Sequence, residues 1–327
     1  MKPDTRCRSI LLTALTGVLI LMPWPASGAD RRLSVEASTE VTAWTVRYGP
    51  HVILEYAFPR MAHKPYVRVL ATLDGENLLR DAPSDHLHHH GLMYAIGVNG
   101  LNFWEEVSGS GIQKPVATAP PELGTGPHGQ PRARLRQTLH WLASSEAFLP
   151  DDARHALLVE ERTLTLVPDP ARGEVALHWR SEFVVGGRAE TVTLTGSSYF
   201  GLGLRFAADL DPVARHFRAG GSPDLAGGRQ EVGVHPWSGV SFVRPGQPVT
   251  VAVVGHPANP RGDPAFFAMA SPFAYLSATL GLEREPLLLS AGERFRLDYL
   301  VLVSAGPWSP EAVGARAQRW REAPPSP

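Results

Sequence analysis

An alternation of apolar and polar side chains with a period of two residues runs through most of this 327-residue chain. It is clearest where Val175, Leu177, Trp179, Ser181, Phe183 and Val185 alternate with His178, Arg180 and Glu182. Residues 133–141 and 294–303 repeat the pattern. A period of two places successive side chains on opposite faces of a β-strand. The chain is therefore predicted to consist mainly of half-buried strands.

Glycine and proline, with 31 and 30 residues, are abundant between these stretches, as turns require. Further strands are predicted at residues 41–46, 51–58, 66–73, 91–98, 156–167, 189–194, 249–255 and 274–280. Because no helical periods are interspersed, the pattern favours antiparallel sheets over a βαβ arrangement. We expect an all-β fold, a large antiparallel β-sandwich, formed by residues 30–327 as one domain. Residues 109–130 and 209–229 are interpreted as long loops within it.

A single short helix is predicted near the C-terminal end. Ser309 has the side chain of an N-cap, and Pro310 would occupy the first helical position. Val313, Ala317 and Trp320 then recur near helical spacing. We expect this helix to pack against a sheet edge, with a frayed tail after it.

Residues 1–29 have the features of a secretory signal peptide. The beginning is positively charged, residues 10–22 are apolar but short for a membrane span, and residues 27–29 are small enough for cleavage. An uncleaved anchor helix is the alternative, and Pro23 and Pro25 count against it because proline breaks helices. The mature protein is therefore expected to be periplasmic or secreted, with no membrane partner.

Charge and cysteine content exclude several classes of function. The formal net charge is −1 and no basic stripe appears in the sequence, so nucleic acid and anionic membranes are poor candidates as partners. The single cysteine, Cys7, lies within the predicted signal peptide. Its removal would leave no disulfide, thiolate nucleophile or cysteine-type zinc site.

Four histidines, two aspartates and an arginine are concentrated on one predicted connection between strands. They are Arg80, Asp81, Asp85, His86, His88, His89 and His90. Loops held by a rigid sheet are where binding and catalytic sites are commonly built. A solvated histidine loop is the alternative, but interleaved Asp and Arg favour a functional site.

A second candidate stretch is the strand predicted at residues 199–206, which contains Arg205. Gly201 and Gly203 would leave room there for a ligand or a neighbouring backbone. The guanidinium of Arg205 could hold a carboxylate or a sugar hydroxyl. A salt bridge to the next strand explains Arg205 equally well.

Two further stretches add polar and aromatic groups. His256, Asn259 and Arg261 lie in a proline-rich turn, whose chemistry explains Asn259 but does not call for the other two. Trp104 stands beside Glu105 and Glu106, a combination common where sugar rings stack. Such a tryptophan is more often half-buried core.

Together these stretches resemble the bacterial PmoA-like family of uncharacterised proteins. The resemblance covers about residues 65–306 and rests on Arg80-Asp81, Asp85-His86-Leu87-His88-His89-His90-Gly91-Leu92, Asn99-Gly100-Leu101-Asn102-Phe103-Trp104, Gly201-Leu202-Gly203-Leu204-Arg205-Phe206 and His256-Pro257-Ala258-Asn259-Pro260-Arg261. Family members usually carry a basic residue such as Arg at the position of His90, so no role is transferred to it. The family is grouped with galactose-mutarotase-like supersandwiches, and the resemblance implies that form of sandwich here.

The same analogy implies a mechanism, in which a histidine is general acid, a carboxylate is general base, and an arginine and a second histidine hold the sugar. His86 or His89 would be the acid and Glu106 the base, with Glu105, Asp81 and Asp85 as competing carboxylates. The substrate-binding residues would be Arg80, Asp81, His88, Trp104, Arg205, His256, Asn259 and Arg261. The expected function is that of an exported carbohydrate-active protein, with epimerase, lyase and hydrolase chemistry all open.

Two other classes remain. In the first, His86 with His88 or His89, plus Asp81 or Asp85, would bind a divalent metal, the one cofactor the sequence suggests. In the second, the sandwich binds carbohydrate without catalysis.

The residues around His86, Arg205 and His256 are expected to converge on one concave site. Each group closes or interrupts an apolar strand, and a sandwich brings strand ends from distant parts of the sequence together.

Overall fold

The computed structural model describes residues 32–38, 42–59, 62–126, 128–244, 246 and 248–323. The predicted signal peptide and the predicted frayed tail at residues 324–327 lie outside the described residues.

Twenty-two strands lie within the described part of the chain. The first seven are β1 (Leu33–Ser38), β2 (Ala43–Tyr48), β3 (His51–Ala57), β4 (Tyr66–Leu70), β5 (Leu92–Ala95), β6 (Gly97–Val98) and β7 (Leu101–Asn102). They are followed by β8 (Gly111–Thr118), β9 (Glu122–Thr125), β10 (Pro131–Ala143), β11 (Leu158–Asp169), β12 (Glu174–Val185), β13 (Thr191–Thr195), β14 (Gly201–Arg205) and β15 (Ala214–Arg218). The last seven are β16 (Gln230–Val234), β17 (Trp237–Phe242), β18 (Val249–Gly255), β19 (Ala265–Met269), β20 (Tyr275–Thr279), β21 (Leu287–Ser290) and β22 (Arg294–Ala305).

The strands form two large antiparallel sheets and one small one. The front sheet has the order β1-β2-β3-β4-β5-β14-β20-β19-β16. The back sheet has the order β15-β17-β18-β22-β12-β11-β10-β8, with β9 also paired to β10. The small sheet has the order β21-β13-β6-β7. The prediction of an all-β fold with large antiparallel sheets is confirmed.

The inner faces of the front and back sheets share one hydrophobic core. Tyr94 of β5 lies edge-on to Trp141 of β10, with ring centroids 6.2 Å apart. On β12, Leu177 and Trp179 are buried in this core as the alternation predicted, while His178 between them faces outward and is half-buried. The period of two therefore determines which face of each strand is buried.

A buried ion pair connects the two sheets within the core. Arg162 of β11 donates from Nε to Oε1 of Glu160 at 2.7 Å and from Nη2 to Oε2 at 2.9 Å. Its Nη1 donates to the backbone oxygen of Pro65, beside β4 of the front sheet, at 3.2 Å. Both side chains are at most 1% exposed. Their charges are tolerated because each is matched by an opposite charge and by hydrogen bonds.

The C-terminal helix α1 (Pro310–Glu322) is confirmed, and Ser309 Oγ caps it by accepting a hydrogen bond from the backbone nitrogen of Ala312 at 3.3 Å. Its position at a sheet edge was predicted wrongly. Val313 and Ala317 of the helix are buried with residues of β17, β18 and β22, on the outer face of the back sheet. That part of the outer face is apolar, and the helix removes it from water.

The two glycine- and proline-rich stretches are not loops throughout, as had been predicted. Residues 109–130 contain β8 and β9, and residues 209–229 contain β15. β8 and β15 are edge strands of the back sheet. An edge strand tolerates a residue such as Pro115, because one of its sides needs no backbone hydrogen bonds.

Candidate functional site

A cleft of about 380 Å³ lies beside the front-sheet strands β16, β19 and β20. We call it the histidine cleft. It is lined by His86, His88, His89, Glu105, Tyr199, Gln230, Phe267, Met269, Pro272, Phe273 and Tyr275. Its polar wall comes from the connection between β4 and β5 and from the turn after β7, and its aromatic wall comes from β19, β20 and the chain before β14.

The loop that carries the histidines is fixed by backbone hydrogen bonds at its base. The nitrogen of Arg80 donates to the oxygen of Arg205, and the nitrogen of Arg205 donates to the oxygen of Gly91. Gly91 has a φ of +46°, and a Cβ there would collide with the backbone oxygen of Val67. Only glycine fits at this point. Arg80, a predicted binding residue, thus lies at the base of the loop and not among the residues that line the cleft.

The imidazoles of His86, His88 and His89 pack against one another. The ring centroids of His86 and His89 are 4.6 Å apart, and those of His88 and His89 are also 4.6 Å apart. Burial, followed by the charges of His88 and His86, lowers the pKa of His89 to about 3, and burial also lowers the pKa of His88. Both rings are therefore neutral near pH 7. This disfavours the predicted role of His89 as a general acid, since that role needs a protonated ring.

Glu105, and not Glu106, is the carboxylate of the histidine cleft. Glu105 Oε2 lies 3.5 Å from Nδ1 of His88. Glu106 faces away from the cleft, and its Oε1 accepts a hydrogen bond from Nζ of Lys64 at 2.5 Å. Burial would raise the pKa of Glu106, but the hydrogen bond with His90 and the charge of Lys64 outweigh this and lower it to about 2. The prediction of Glu106 as the base is thus corrected, because its oxygens are already engaged.

Glu106 belongs to an ionic cluster formed by Lys64, Tyr66, Asp81, His90 and Glu106. His90 lies between two carboxylates, with Nδ1 2.6 Å from Asp81 Oδ1 and Nε2 3.1 Å from Glu106 Oε1. Tyr66 donates its hydroxyl hydrogen to Asp81 Oδ2 at 2.9 Å. The charges satisfy one another, so Asp81, predicted to bind substrate, is held within the protein.

Lys64 and Tyr66 are the members of this cluster that sequence reasoning missed, and Lys64 is the charged one. Its side chain is fully buried, and besides Glu106 its Nζ donates to the backbone oxygen of Trp104 at 3.0 Å. These bonds fix the segment that carries Glu105 into the cleft. One feature of the sequence could have revealed Lys64, namely its place two residues before the apolar strand β4. A lysine beside a buried strand needs an oppositely charged partner, because lysine is rarely buried without one.

Arg205 joins the histidine cleft from below. Its side chain is 2% exposed, and its Cζ lies 3.2 Å from the centroid of the Phe273 ring in the cleft wall. Nη2 donates to Asp85 Oδ2 at 3.2 Å, while Nε and Nη1 have no hydrogen-bond partner among the described residues. The ring of His86 is 5.1 Å from the same phenylalanine. The structure therefore brings His86 and Arg205 to the same ring, Phe273, although Arg205 is not among the residues that line the cleft.

Trp104 is buried core and cannot stack on a sugar, contrary to prediction. Its side chain is fully buried and lies parallel to Phe200 with ring centroids 5.1 Å apart. Gly203 serves the same packing, because a Cβ there would collide with Tyr275 and Trp104. The space that this glycine leaves is thus filled by neighbouring side chains and not by a ligand.

His256, Asn259 and Arg261 do not reach the histidine cleft. The ring of His256 contacts Trp320 of α1 with centroids 5.3 Å apart. Asn259 bonds both ways with the backbone of Asp298, and Arg261 donates to the backbone oxygen of Leu280 at 3.0 Å. The turn is a structural corner beneath α1. The prediction of one shared site is wrong for these three residues, because strand periodicity does not specify to which edge a strand end leads.

A metal site is not supported by the arrangement of side chains. Among the described residues, no group of three His, Asp or Glu side chains is placed to hold a metal ion. The histidine rings pack face to face and edge to face, and the nearby carboxylates Asp81 and Asp85 bond to His90 and Arg205. The residues present therefore do not fit a divalent ion.

The fold and the cleft define an antiparallel β-sandwich protein with a histidine-rich, aromatic-walled pocket beside one sheet. A family model matches residues 43–318, most of the chain. The protein belongs to this family, DUF6807, a family of unknown function. The match does not bear on the finer resemblance to PmoA-like proteins. No curated protein is significantly similar to the chain.

Among solved structures, the chain is similar to the GH36 α-galactosidase AgaB from Geobacillus stearothermophilus, with 13% identity over 83% of this chain and 41% of that chain and a TM-score of 0.49. It is also similar to the galactosidase domain of the α-galactosidase-sucrose kinase AgaSK, with 12% identity over 83% of this chain and 42% of that chain and a TM-score of 0.44. The chain thus spans about two fifths of the length of these proteins. Within the described residues no helix has the length and apolar character needed to cross a membrane.

Proposed function

We propose that the histidine cleft binds a carbohydrate and that Glu105 and His86 exchange protons with it. The observation that carries this proposal is the combination of imidazoles, a carboxylate and four aromatic rings in one cleft of about 380 Å³. Small-molecule sites commonly have volumes of about 300–1,000 Å³ and mix apolar walls with a few convergent polar groups.

The walls suit the two kinds of surface that a sugar presents. The apolar faces of a sugar ring pack on aromatic side chains, and in the cleft the half-buried ring of Tyr199 is the most accessible, with the largely buried rings of Phe267 and Phe273 beside it. Hydroxyl groups both donate and accept hydrogen bonds, and the neutral rings of His88 and His89 do the same.

Two side chains are suited to proton transfer. Glu105 is the carboxylate that lines the cleft, and it would accept a proton from the sugar. Nδ1 of His86 lies 3.1 Å from Asp85 Oδ2, which leaves Nε2 as the ring nitrogen available to a ligand. Epimerisation, elimination and hydrolysis all use such an acid–base pair.

The proposal is tested by comparing turnover and ligand binding between the wild type and Glu105→Gln. The wild type is screened with reducing sugars, aryl glycosides and uronate-containing oligosaccharides, and binding of any hit is measured by calorimetry. Since Glu105→Gln removes the base but keeps the shape, the rate should fall at least about 100-fold with affinity changed little. Glu285→Gln, at a side chain that is 81% exposed, is the matched control and should behave as wild type. Unchanged turnover in Glu105→Gln would refute the catalytic role.

A non-catalytic carbohydrate-binding protein is the second candidate, and one observation favours it. The lowered pKa values of His88 and His89 suit hydrogen bonding better than acid catalysis. In that case Phe273→Ala would abolish sugar binding, while wild type and Glu105→Gln would bind equally and neither would turn any sugar over.

We also propose that the protein acts outside the cytoplasm, on the grounds of the signal features of residues 1–29. N-terminal sequencing of protein from a producing cell should give a chain that begins near Asp30 in the periplasm or medium. A cytoplasmic protein that retains residues 1–29 would contradict this.

A further inference from the structure

A second and larger groove lies on the opposite layer of the molecule, between the outer face of the back sheet and α1. Its volume is about 690 Å³. It is lined by His128, Gln130, Arg132, Arg134, Thr165, Val167, Asp169, Arg172, Glu174, Ala176, His178, Leu300, Arg316, Arg319, Trp320 and Ala323. We call it the arginine groove. The residues of the histidine cleft do not take part in it.

The register of the strands builds the floor of this groove. Arg134 of β10 is paired with Thr165 of β11, Thr165 with His178 of β12, and His178 with Leu300 of β22. Side chains at paired positions lie on the same face of a sheet, so these four form one row across it. Arg132 lies two residues before Arg134 and therefore on the same face.

The helix α1 forms the wall of the groove. Val313 and Ala317 attach the helix to the sheet, and Arg316, Arg319 and Trp320 line the groove on the adjacent helical face. Positions three and four residues apart lie on one side of a helix. The tryptophan is half-buried, so part of its ring is accessible.

Positive charge is in excess in this groove. It contains five arginines and two carboxylates, although the whole chain has a formal net charge of −1. Arg172 is paired with Asp169 and Arg316 with Glu174, each at 3.0 Å. Arg132 and Arg134 lie two residues apart on β10, and burial, followed by the charge of Arg132, lowers the pKa of Arg134 although Glu122 opposes this. An anion in the groove would relieve this mutual repulsion.

The groove continues into a second depression along the same face. Arg134, Thr165 and His178 line both cavities, and the second adds Arg136, Thr163, Arg180 and two carboxylates, Glu161 and Glu182. An extended ligand could thus follow the face of the sheet from α1 across β12, β11 and β10.

We propose that the arginine groove binds an acidic polysaccharide, one that carries carboxylate or sulfate groups on sugar rings. Arginine forks pair with the acidic groups, and threonine hydroxyls and the accessible face of Trp320 meet the rings between them. Proteins that bind single-stranded nucleic acid stack successive bases on several aromatic side chains. Among the described residues, the arginine groove has one such ring, Trp320, so it suits nucleic acid poorly. The site is independent of the histidine cleft.

The test is binding of purified protein to polygalacturonate and to dextran sulfate, measured by calorimetry at low and at physiological ionic strength. Neutral dextran and polyglutamate are the reference polymers. Wild type should bind both acidic polysaccharides, more weakly as salt increases, and should not bind neutral dextran. Arg132→Glu/Arg319→Glu should weaken binding at least about tenfold. Arg284→Glu/Arg294→Glu makes the same change in net charge at exposed sites outside the groove and should bind as wild type.

Trp320→Ala separates sugar recognition from attraction to any polyanion, since it should weaken binding of polygalacturonate several-fold and leave binding of polyglutamate unchanged. Circular dichroism establishes that each variant is folded. The proposal is overturned if wild type binds no acidic polysaccharide at low salt, if both charge-reversal pairs weaken binding equally, or if DNA or anionic vesicles bind more tightly than polygalacturonate.

Discussion

At the scale of single residues, the buried charge of Lys64 is a costly arrangement. A buried ammonium is tolerated only with an opposite charge close by, and here that charge is Glu106. Lys64 contributes to the histidine cleft by holding a backbone segment in place. Because Lys64 also bonds the backbone of Trp104, the cluster fixes the turn on which Glu105 stands.

We predict that Glu106→Gln lowers the free energy of unfolding by about 3 kcal/mol, because it leaves Lys64 buried with no opposite charge in contact. Urea unfolding measures the change. The matched control is Glu122→Gln, which breaks an exposed pair with Arg136 and should cost less than about 1 kcal/mol.

The loss should also depend on pH. The folded-state pKa of Glu106 is lowered to about 2, so its ionised form contributes stability that is complete above the unfolded pKa of about 4.5. That contribution disappears as the pH falls from about 4.5 towards 2. The difference between wild type and Glu106→Gln should therefore shrink over this range, and a difference that is constant with pH would contradict the assignment.

The sequence was informative about single residues where the partners are close in the chain. His86, His88 and His89 were found because they are neighbours. Lys64 was missed because its partner Glu106 lies 42 residues away, and a lysine before a strand resembles any surface lysine. The aromatic wall was missed because Phe267 and Tyr275 in a strand are indistinguishable from core residues.

At the scale of elements, β14 shows how closely the front sheet is packed behind the cleft. Gly203 faces Tyr275 of the adjacent strand β20 and Trp104, and no space remains for a side chain. β14 thereby fixes the position of Tyr275, whose ring lines the histidine cleft.

We predict that Gly203→Ala destabilises the protein by about 1–3 kcal/mol, as overpacking of a core does, and weakens ligand binding by displacing Tyr275. Gly314→Ala in α1 is the control, and it should raise the stability of the protein instead of lowering it. Its Cβ would meet only Trp237 at 3.7 Å, so the higher helix propensity of alanine should stabilise by about 0.5–1 kcal/mol. Thermal unfolding measures both, and a neutral Gly203→Ala would show that Tyr275 can be displaced freely.

Long alternating strands and the capped helix were predictable from local pattern, as β10, β12, β22 and α1 show. Edge strands such as β8 and β15 were not, since β8 contains Pro115 and has only two buried positions, and β15 has only five residues, too few to show a clear period. The prediction that α1 packs at a sheet edge was wrong because the sequence of the helix shows which of its sides is apolar. It does not show which surface of the protein that side contacts.

At the scale of the whole molecule, both large sheets combine strands from distant parts of the chain. The front sheet joins β1–β5 to β14, β16, β19 and β20, and the back sheet places β22 between β18 and β12. Their inner faces share one core, and that residues 30–327 form one domain stays a prediction.

We predict a single cooperative unfolding transition for residues 32–323. Far-ultraviolet circular dichroism and tryptophan fluorescence should give coincident curves in urea, because neither sheet can keep its core without the other. Two separated transitions would contradict the single domain.

The place of β22 also determines when the protein can fold. β22 (Arg294–Ala305) is the last of the described strands and lies in the interior of the back sheet, so that sheet can close only after all its other strands have been synthesised. Until then β12 and β18 each lack a neighbour, and their apolar residues stay open to proteases and to aggregation. Synthesis from the N-terminus therefore leaves the back sheet incomplete until β22 is made, and during that time the chain exposes apolar surface to which a chaperone can bind.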